Sequence, residues 1–458
     1  MNDIGAPPRI QHVAIIGAGF SGTLQAINLL RHDGPRVTLI ERRGSFARGV
    51  AYSTPNAAHL LNVRAANMSA LPDDPDHFVR WLATKGKGKP QSFASRQDYG
   101  RYLGELLRET IAGAPDRLTL MRGSAAELAL RADGVAIGFD GGERLEADAA
   151  VLALGNLPPH DPFGLADAGL PAELYSADPW ADGFDGGFDD DDTVLIIGTG
   201  LTMVDVVLTL EARGFGGKII AISRRGLAPR AHGDPSMPRS SLSEKPATYG
   251  SALVRFVRER AEQVGWRAAI DELRPYTQAM WLSAPEGEQR RFLRHIRAWW
   301  DVHRHRLSPE VAARIELLQA DGRLRLIAGK ICEARAQDGG VAIRYRPRHG
   351  DRIESVRVRR VINCTGPQGD LLRTREPLLL RLMAAGHIRP DPHRFGIDVT
   401  AQAETIDIHG RRNHRLLALG PMTRGTFWEI VAVPDIRTQT WSVARRLSHA
   451  HWVQGEGL

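Results

Sequence analysis

The reading of this chain turns on residues 12–30, HVAIIGAGFSGTLQAINLL. Val13 to Ile16 are β-branched or apolar, as expected of a central parallel strand buried on both faces. Gly17, Gly19 and Gly22 follow at GxGxxG spacing, and Thr23 to Leu30 have helical apolar spacing. Each glycine answers a different need. Gly17 makes the tight turn, Gly19 lets a pyrophosphate approach the backbone, and Gly22 lets helix and strand pack closely. The helix start then offers unpaired N–H groups to phosphate oxygens. The next apolar run, RVTLIERR, ends in Glu41, whose carboxylate is placed to accept hydrogen bonds from a ribose diol. This unit predicts a bound adenine dinucleotide.

The same grammar returns at VLIIGTGLTMVDVVLTL, Val194 to Leu210. Gly198 and Gly200 repeat the turn, but Met203 stands at the third position, which predicts a helix slightly farther from its strand. The following strand, GGKIIAISRRG, ends in Ser223, Arg224 and Arg225. Arginine there can pair with a 2′-phosphate that a carboxylate would repel. The first site is therefore expected to hold an FAD-like or NAD-like molecule and the second NADPH.

Downstream of each turn lies a strand, a polar turn, a Gly-Val-Ala-Ile strand, another turn and an apolar strand that stops at a glycine, Gly155 in one and Gly366 in the other. Such an echo indicates a duplicated architecture. The expected fold is α/β, with two Rossmann-like three-layer nucleotide-binding domains. A discontinuous FAD domain covers residues 1–160 and 360–458. The NAD(P)H domain covers 161–359 and carries a helical insertion at about 245–318. A polar crossover, with the acidic run DGGFDDDD, joins the two.

Bulk properties narrow the classes. A chain of 458 residues exceeds what one core usually serves. The net charge of +7 comes mainly from dispersed arginines, which suits a solvated surface that attracts anionic nucleotides better than a nucleic-acid groove. No apolar stretch is long enough to span a bilayer and no secretion signal is read, so a cytoplasmic protein without membrane or nucleic-acid partners is expected. Its partner is a small-molecule substrate, and a homo-oligomer is compatible with this reading. Two cysteines, Cys332 and Cys364, form no CxxC pair and read as buried small hydrophobes. No metal site is expected, because His303 and His305 lack a carboxylate at a matching helical offset.

On these motifs the chain resembles the two-dinucleotide flavoproteins, namely flavin-containing and N-hydroxylating monooxygenases and their glutathione-reductase-like relatives. The resemblance implies FAD on Gly17, Gly19, Gly22 and Glu41, and NADPH on Gly198, Gly200 and Arg224. AVLALGNLPPHDP looks like the strand end that such monooxygenases place at the domain boundary, with leucine at Leu154 as a departure. LLALGPMTRGTFWEIVAVPDIRTQTWSVARRL looks like the family's last FAD element. More narrowly, FARGVAYSTPNAAHLLNVRAANMSAL and WWDVHRHRL resemble a poorly characterised bacterial group of FAD/NAD(P)-binding proteins. The absent CxxC disfavours the dithiol chemistry of the reductase branch.

Two such cofactors support an FAD-dependent NADPH oxidoreductase. The leading expectation is a single-component monooxygenase that activates oxygen on the reduced flavin and acts on a small polar, amine or amino-acid substrate. A non-oxygenating reductase and a nucleotide-sensing protein are the alternatives. Asn62, Asn67 and Arg64 are the candidate catalytic groups, two amides and a cation beside the flavin, with Gly49 and Tyr52 bordering the same cleft. Gly420 and Pro421, at a helix start, and Pro434 are expected near the flavin ring, and Trp428 either there or in the core. Arg230 and His232 are candidates for phosphate contact or for shielding the nicotinamide. In WWDVHRHRL, Trp299 should face His303 and Trp300 should face Arg304, either around a carboxylate-bearing substrate or, as preferred, in a packed aromatic face.

Overall fold

The computed structural model describes residues 10–31, 34–162, 164–165, 170–181, 183–234 and 240–448. In chain order the strands are β1 (His12–Ile16), β2 (Arg36–Glu41), β3 (Leu118–Arg122), β4 (Ala125–Leu130), β5 (Val135–Phe139), β6 (Arg144–Ala147), β7 (Ala149–Leu152) and β8 (Tyr175–Ser176). They continue as β9 (Thr193–Ile197), β10 (Lys218–Ser223), β11 (Leu324–Gln337), β12 (Gly340–Pro347), β13 (Glu354–Val358), β14 (Arg360–Asn363), β15 (Glu404–Ile406) and β16 (Arg412–Ala418). The chain forms two compact units. The first is Met1–Thr54, Arg64–Leu157 and Gly369–Leu458, and the second is Pro55–Val63 with Pro158–Gln368.

In the first unit a six-stranded sheet runs β15-β16-β7-β1-β2-β3. Its pairings are parallel except β15 with β16. Val13 to Leu152 partners line up directly, with Val13 opposite both Val37 and Ala149. The apolar runs found in the sequence are these buried central strands, and parallel pairing covered on both faces is why they do not alternate with polar residues. A separate antiparallel sheet, β4-β5-β6, packs its Leu128, Ile137 and Phe139 into the same core as Ala14, Ile16 and Leu152.

The second unit repeats the plan as β13-β12-β11-β10-β9-β14-β8. Alternation of side chains along β9 divides its core. Val194 and Ile196 join Met203, Val207 and Ile219 on one face, while Leu195 and Ile197 join Ile222, Ile327 and Val361 on the other. One architectural difference separates the units. The excursion that stands apart as β4-β5-β6 in the first is fused into the main sheet in the second, because β11 is a single 14-residue strand. It pairs with β10 through Leu324–Ala328 and with β12 from Gly329 onward, across an irregularity at Ile331/Glu333.

Two segments fall elsewhere than the sequence boundaries placed them. β14 belongs to the second unit, hydrogen-bonded to β9, so the return to the first unit comes at Gly369. Residues 55–63 also belong to the second unit, though their neighbours on both sides belong to the first. This strap is tied to the helix Leu201–Ala212. Asn56 Nδ2 donates to Leu208 O at 3.3 Å, and the buried His59 Nε2 donates to Asp205 O at 2.9 Å. The expected insertion is helical, from Gly250–Val264 through Trp266–Glu272 and Arg297–Arg304 to Pro309–Ala320.

Candidate functional site

The two turns share one backbone design. Gly17 has φ +102°, and a Cβ there would lie 2.4 Å from Ala153 O; Gly198 has φ +113°, and its Cβ would lie 2.2 Å from Cys364 O. Only glycine tolerates both the left-handed backbone and that approach. The Gly17 N–H donates to Ile40 O at 2.9 Å and the Gly198 N–H to Ile222 O at 2.8 Å. Ala153 N–H donates to Ile16 O, and Cys364 N–H to Ile197 O in the same manner. Gly155 and Gly366 each lie three residues past the end of the flanking strand, both at positive φ and both with open space on the side a Cβ would take.

Past each turn the helix start leaves donors free. The N–H groups of Gly19, Phe20 and Ser21, and those of Gly200, Leu201 and Thr202, have no acceptor among the described residues. Neither helix carries an acidic residue in its first turn. Both donor sets fit the pyrophosphate of a dinucleotide, which would meet unpaired N–H groups at the positive end of a helix dipole. Nothing approaches within 4 Å of a Cβ built on Gly200, and only Gly49 Cα, at 3.6 Å, approaches one on Gly19.

The side chains around the turns differ. Glu41 Oε2 accepts from Ala18 N–H at 3.0 Å and Oε1 from Arg43 N–H at 2.8 Å, so the carboxylate braces the turn in addition to any ribose contact. In the second unit the equivalent brace is made of hydroxyls. Ser223 Oγ lies 2.9 Å from Thr199 Oγ1 and accepts from Gly226 N–H at 3.0 Å, while the Thr199 hydroxyl donates to Leu227 O. Arg224 is exposed, and its guanidinium has no partner among the described residues. Arg225 instead reaches the insertion, donating to His295 O at 3.3 Å and Arg294 O at 3.5 Å. Gly22 has no room for a Cβ, which would lie 1.8 Å from Gly17 O, whereas Met203 is fully buried. The second helix therefore stands off its turn far enough to admit a side chain.

The candidate catalytic groups divide between the units. Arg64 and Asn67 lie in the first, at the start and end of the short turn Ala65–Asn67. Arg64 donates to Gln91 O at 2.8 Å and stacks 5.0 Å from the Phe93 ring. The half-buried amide of Asn67 has no hydrogen-bond partner among the described residues. Asn62 lies on the strap of the second unit, where its carbonyl accepts from His232 Nε2 at 2.9 Å and its side-chain amide is likewise unpartnered. Gly49 approaches Gly19 so closely that its Cβ would sit 3.0 Å from Gly19 Cα. Tyr52 packs edge-on to Phe20 at 6.0 Å and against Tyr99 at 4.8 Å, and burial pushes its phenol well up.

Three expectations need correction. Gly420 and Pro421 begin only a four-residue 3-10 turn, Gly420–Thr423, and the long helix starts at Val433, with Pro434 in its first turn. Gly420 has φ +72°, a Cβ there would lie 2.4 Å from Ser21 Oγ, and its N–H donates to Gln439 Oε1 at 2.8 Å. Gln439, which anchors that turn from 19 residues away, was not visible in any local pattern. Cys332 is exposed; only Cys364 is buried, with its thiol pushed well up by burial. In the insertion Trp300 is buried, edge-on to Phe292 at 6.3 Å, but Trp299 is 45% exposed. His303 turns away from the Trp299 ring: its Nδ1 donates to Trp299 O and its ring meets Trp266 edge-on at 5.0 Å. Trp428 is core, 6.1 Å from Phe395. Among the described residues no cluster of His, Cys, Asp and Glu could hold a metal, and no helix is long and apolar enough to cross a membrane.

Residues 14–157 match the family model NAD_binding_9, described as FAD-NAD(P)-binding. The fold is that of the two-dinucleotide-binding flavoproteins. Solved structures extend the likeness across both units. Ornithine hydroxylase (PvdA) from Pseudomonas aeruginosa is similar at TM-score 0.65 and 14% identity, over 96% of this chain and 99% of that one. The cadaverine monooxygenase DfoA of Erwinia amylovora, solved with FAD, is similar at TM-score 0.66 and 12% identity, over 97% and 95%. Thioredoxin reductase of Lactococcus lactis is similar at TM-score 0.53 and 13% identity, over 96% and 99%. No curated protein sequence matches the chain. The matched family model is one of FAD-NAD(P)-binding, which agrees with a dinucleotide on the first turn.

Proposed function

We propose that this flavoprotein is an FAD- and NADPH-dependent monooxygenase acting on a small amine or amino-acid substrate, with FAD on the first turn and NADPH on the second. The observation that carries the cofactor assignment is the contrast at matching strand ends. A carboxylate, Glu41, closes the first, and an unpartnered guanidinium, Arg224, stands at the second. The first suits a ribose diol, and the second suits a 2′-phosphate.

A flavin held there would supply two-electron redox chemistry between NADPH and oxygen. The chain's own residues do the holding. Free N–H groups at Gly19–Ser21 and Gly200–Thr202 would hold the two pyrophosphates, and the glycine backbones would let them approach. Asn67 and Asn62 carry amides able to orient a carbonyl or a substrate without titrating, and Arg64 carries a fixed cation, already positioned by Gln91 O and Phe93. The second reading, a reductase without a redox disulfide, draws on the fold shared with thioredoxin reductase. Cys332 in β11 and Cys364 beyond β14 give that reading no dithiol pair.

The test is direct. Flavin-loaded protein is reduced by NADPH without oxygen, then exposed to oxygen with ornithine, lysine or cadaverine, and the product is weighed. Bleaching followed by a gain of one oxygen in the amine is the expected result. Bleaching with electrons going to other acceptors, and no product gaining oxygen, assigns the protein to the reductases. Failure to bleach removes both enzymatic readings.

A further inference from the structure

The loop following β10 is held rigidly, yet it leaves charge unused. Arg230 N–H donates to Val302 O at 3.0 Å, Leu307 N–H donates to Arg230 O at 2.9 Å, and His232 N–H donates to Leu307 O at 2.9 Å. These bonds fix the Arg230 backbone, while its exposed side chain has no partner among the described residues. Beside it stands Arg267 of the insertion. Its Nε donates to Ala231 O at 3.1 Å, and its guanidinium carbon lies 4.3 Å from the Trp266 ring centroid. Gly233 makes room for it, since a Cβ there would come within 2.8 Å of Arg267 Cδ. Both terminal nitrogens of Arg267 are left without a described partner.

A third guanidinium backs this pair. Arg306, 3% exposed, is neutralised by Asp271 through bonds of 3.0 and 2.8 Å, and it also donates to Arg267 O at 3.2 Å and His303 O at 2.7 Å. Its guanidinium carbon lies 5.3 Å from the same Trp266 ring. Burial first, then the nearby Arg306 and Arg230 charges, lowers the pKa of Arg267. Like charges gathered in a partly desolvated place disfavour the unliganded state. Planar guanidiniums stacked on an aromatic face are also the donors that grip a two-oxygen edge.

We propose that Arg230 and Arg267 form an oxyanion subsite on the helical insertion, separate from both glycine turns, which takes the carboxylate or phosphate group of a small ligand. Arg306 and Trp266 are positioning residues for it. The proposal rests on the fold of the second unit and not on the monooxygenase reading.

Calorimetric titration of the flavin-loaded full chain with inorganic phosphate and with glutarate, at low ionic strength, tests it. At least one probe should bind saturably, and the tighter one names the group. R230Q should weaken that binding about tenfold, the loss of one charge-assisted contact. Because the exposed Arg230 side chain makes no hydrogen bond or ion pair with the described residues, the melting temperature should stay within about a degree. R267K should weaken binding comparably, since lysine keeps the charge but lacks the planar fork. R224A should leave it within about twofold, as expected of a site whose charge lies elsewhere. No saturable binding, wild-type binding by R230Q, or an equal loss in R224A overturns the subsite. Anaerobic bleaching by NADPH in the same samples keeps the two ideas apart. Bleaching without anion binding sinks only the subsite, and anion binding without bleaching sinks only the enzymatic reading.

Discussion

Laid side by side, the Gly17 and Gly198 turns agree in backbone and disagree in side chains. Each glycine donates to the end of the neighbouring strand and sits almost against a carbonyl of the strand on the other side, Ala153 O or Cys364 O. Around the first, a carboxylate braces the turn through Ala18 N–H and Arg43 N–H; around the second, the Thr199–Ser223 hydroxyl pair does so. On the proposed assignment, main-chain geometry makes the place for a pyrophosphate, and the residue at the end of the second strand of each unit selects the nucleotide. Duplication can keep the first property while the second diverges.

The strongest way to break this comparison is to put a side chain on either glycine. G17A and G198A should each cost at least about 3 kcal/mol locally, since a left-handed backbone alone costs about 1–2 kcal/mol and the carbonyl contact adds to it. G17A should lose flavin and retain NADP⁺ binding, and G198A should do the reverse, as read by bound absorbance and by calorimetry. Loss of both ligands in either variant would show that the turns do not act as separate sites.

Exchanging the braces gives a smaller effect. E41Q leaves one backbone N–H facing an amide donor and should destabilise the first unit by about 1–3 kcal/mol, against about 1 kcal/mol for S223A in the second. Denaturant unfolding followed by flavin release measures the first, and hydrogen exchange at Gly226 and Leu227 the second. Arg224 tests nucleotide choice. R224A should raise the KM for NADPH about tenfold, or about 1.4 kcal/mol, and change that for NADH little. Equal effects on both would remove the 2′-phosphate contact. The mildest probe is thiol labelling. Wild-type protein should react at the exposed Cys332 and spare Cys364, whose thiol is buried and held protonated, and whose carbonyl faces Gly198. In G198A both cysteines should react.

Much of this was legible beforehand because it depends on short-range rules. Glycine spacing requires a left-handed turn, uninterrupted apolar runs require buried parallel strands, and the two Gly-Val-Ala-Ile strands revealed the duplicated excursion. What escaped was decided by tertiary partners far away in sequence. Nothing local tells that His59 and Asn56 are held by a helix some 150 residues later, taking Asn62 into the second unit. The pairing of Gly420 with Gln439 replaces an expected helix start with a tight turn, and Arg225 is taken up by carbonyls of the insertion. The same holds for Arg267, an unremarkable helical arginine until Trp266, Ala231 and Arg306 are brought to it.

The order of strands in the first sheet has a consequence for how the chain is made. β7 is flanked by β1 on one side and β16 on the other, and β16 is drawn from residues 412–418. Until those residues leave the ribosome, Ala150 to Leu152 form an open, wholly apolar sheet edge, the kind that recruits foreign strands. The second unit needs only residues 55–63 and 158–368, so it can mature while the first waits. Contacts that span more than 250 residues close slowly. Truncation anywhere ahead of β16 should therefore yield aggregated nascent chains, not a soluble half.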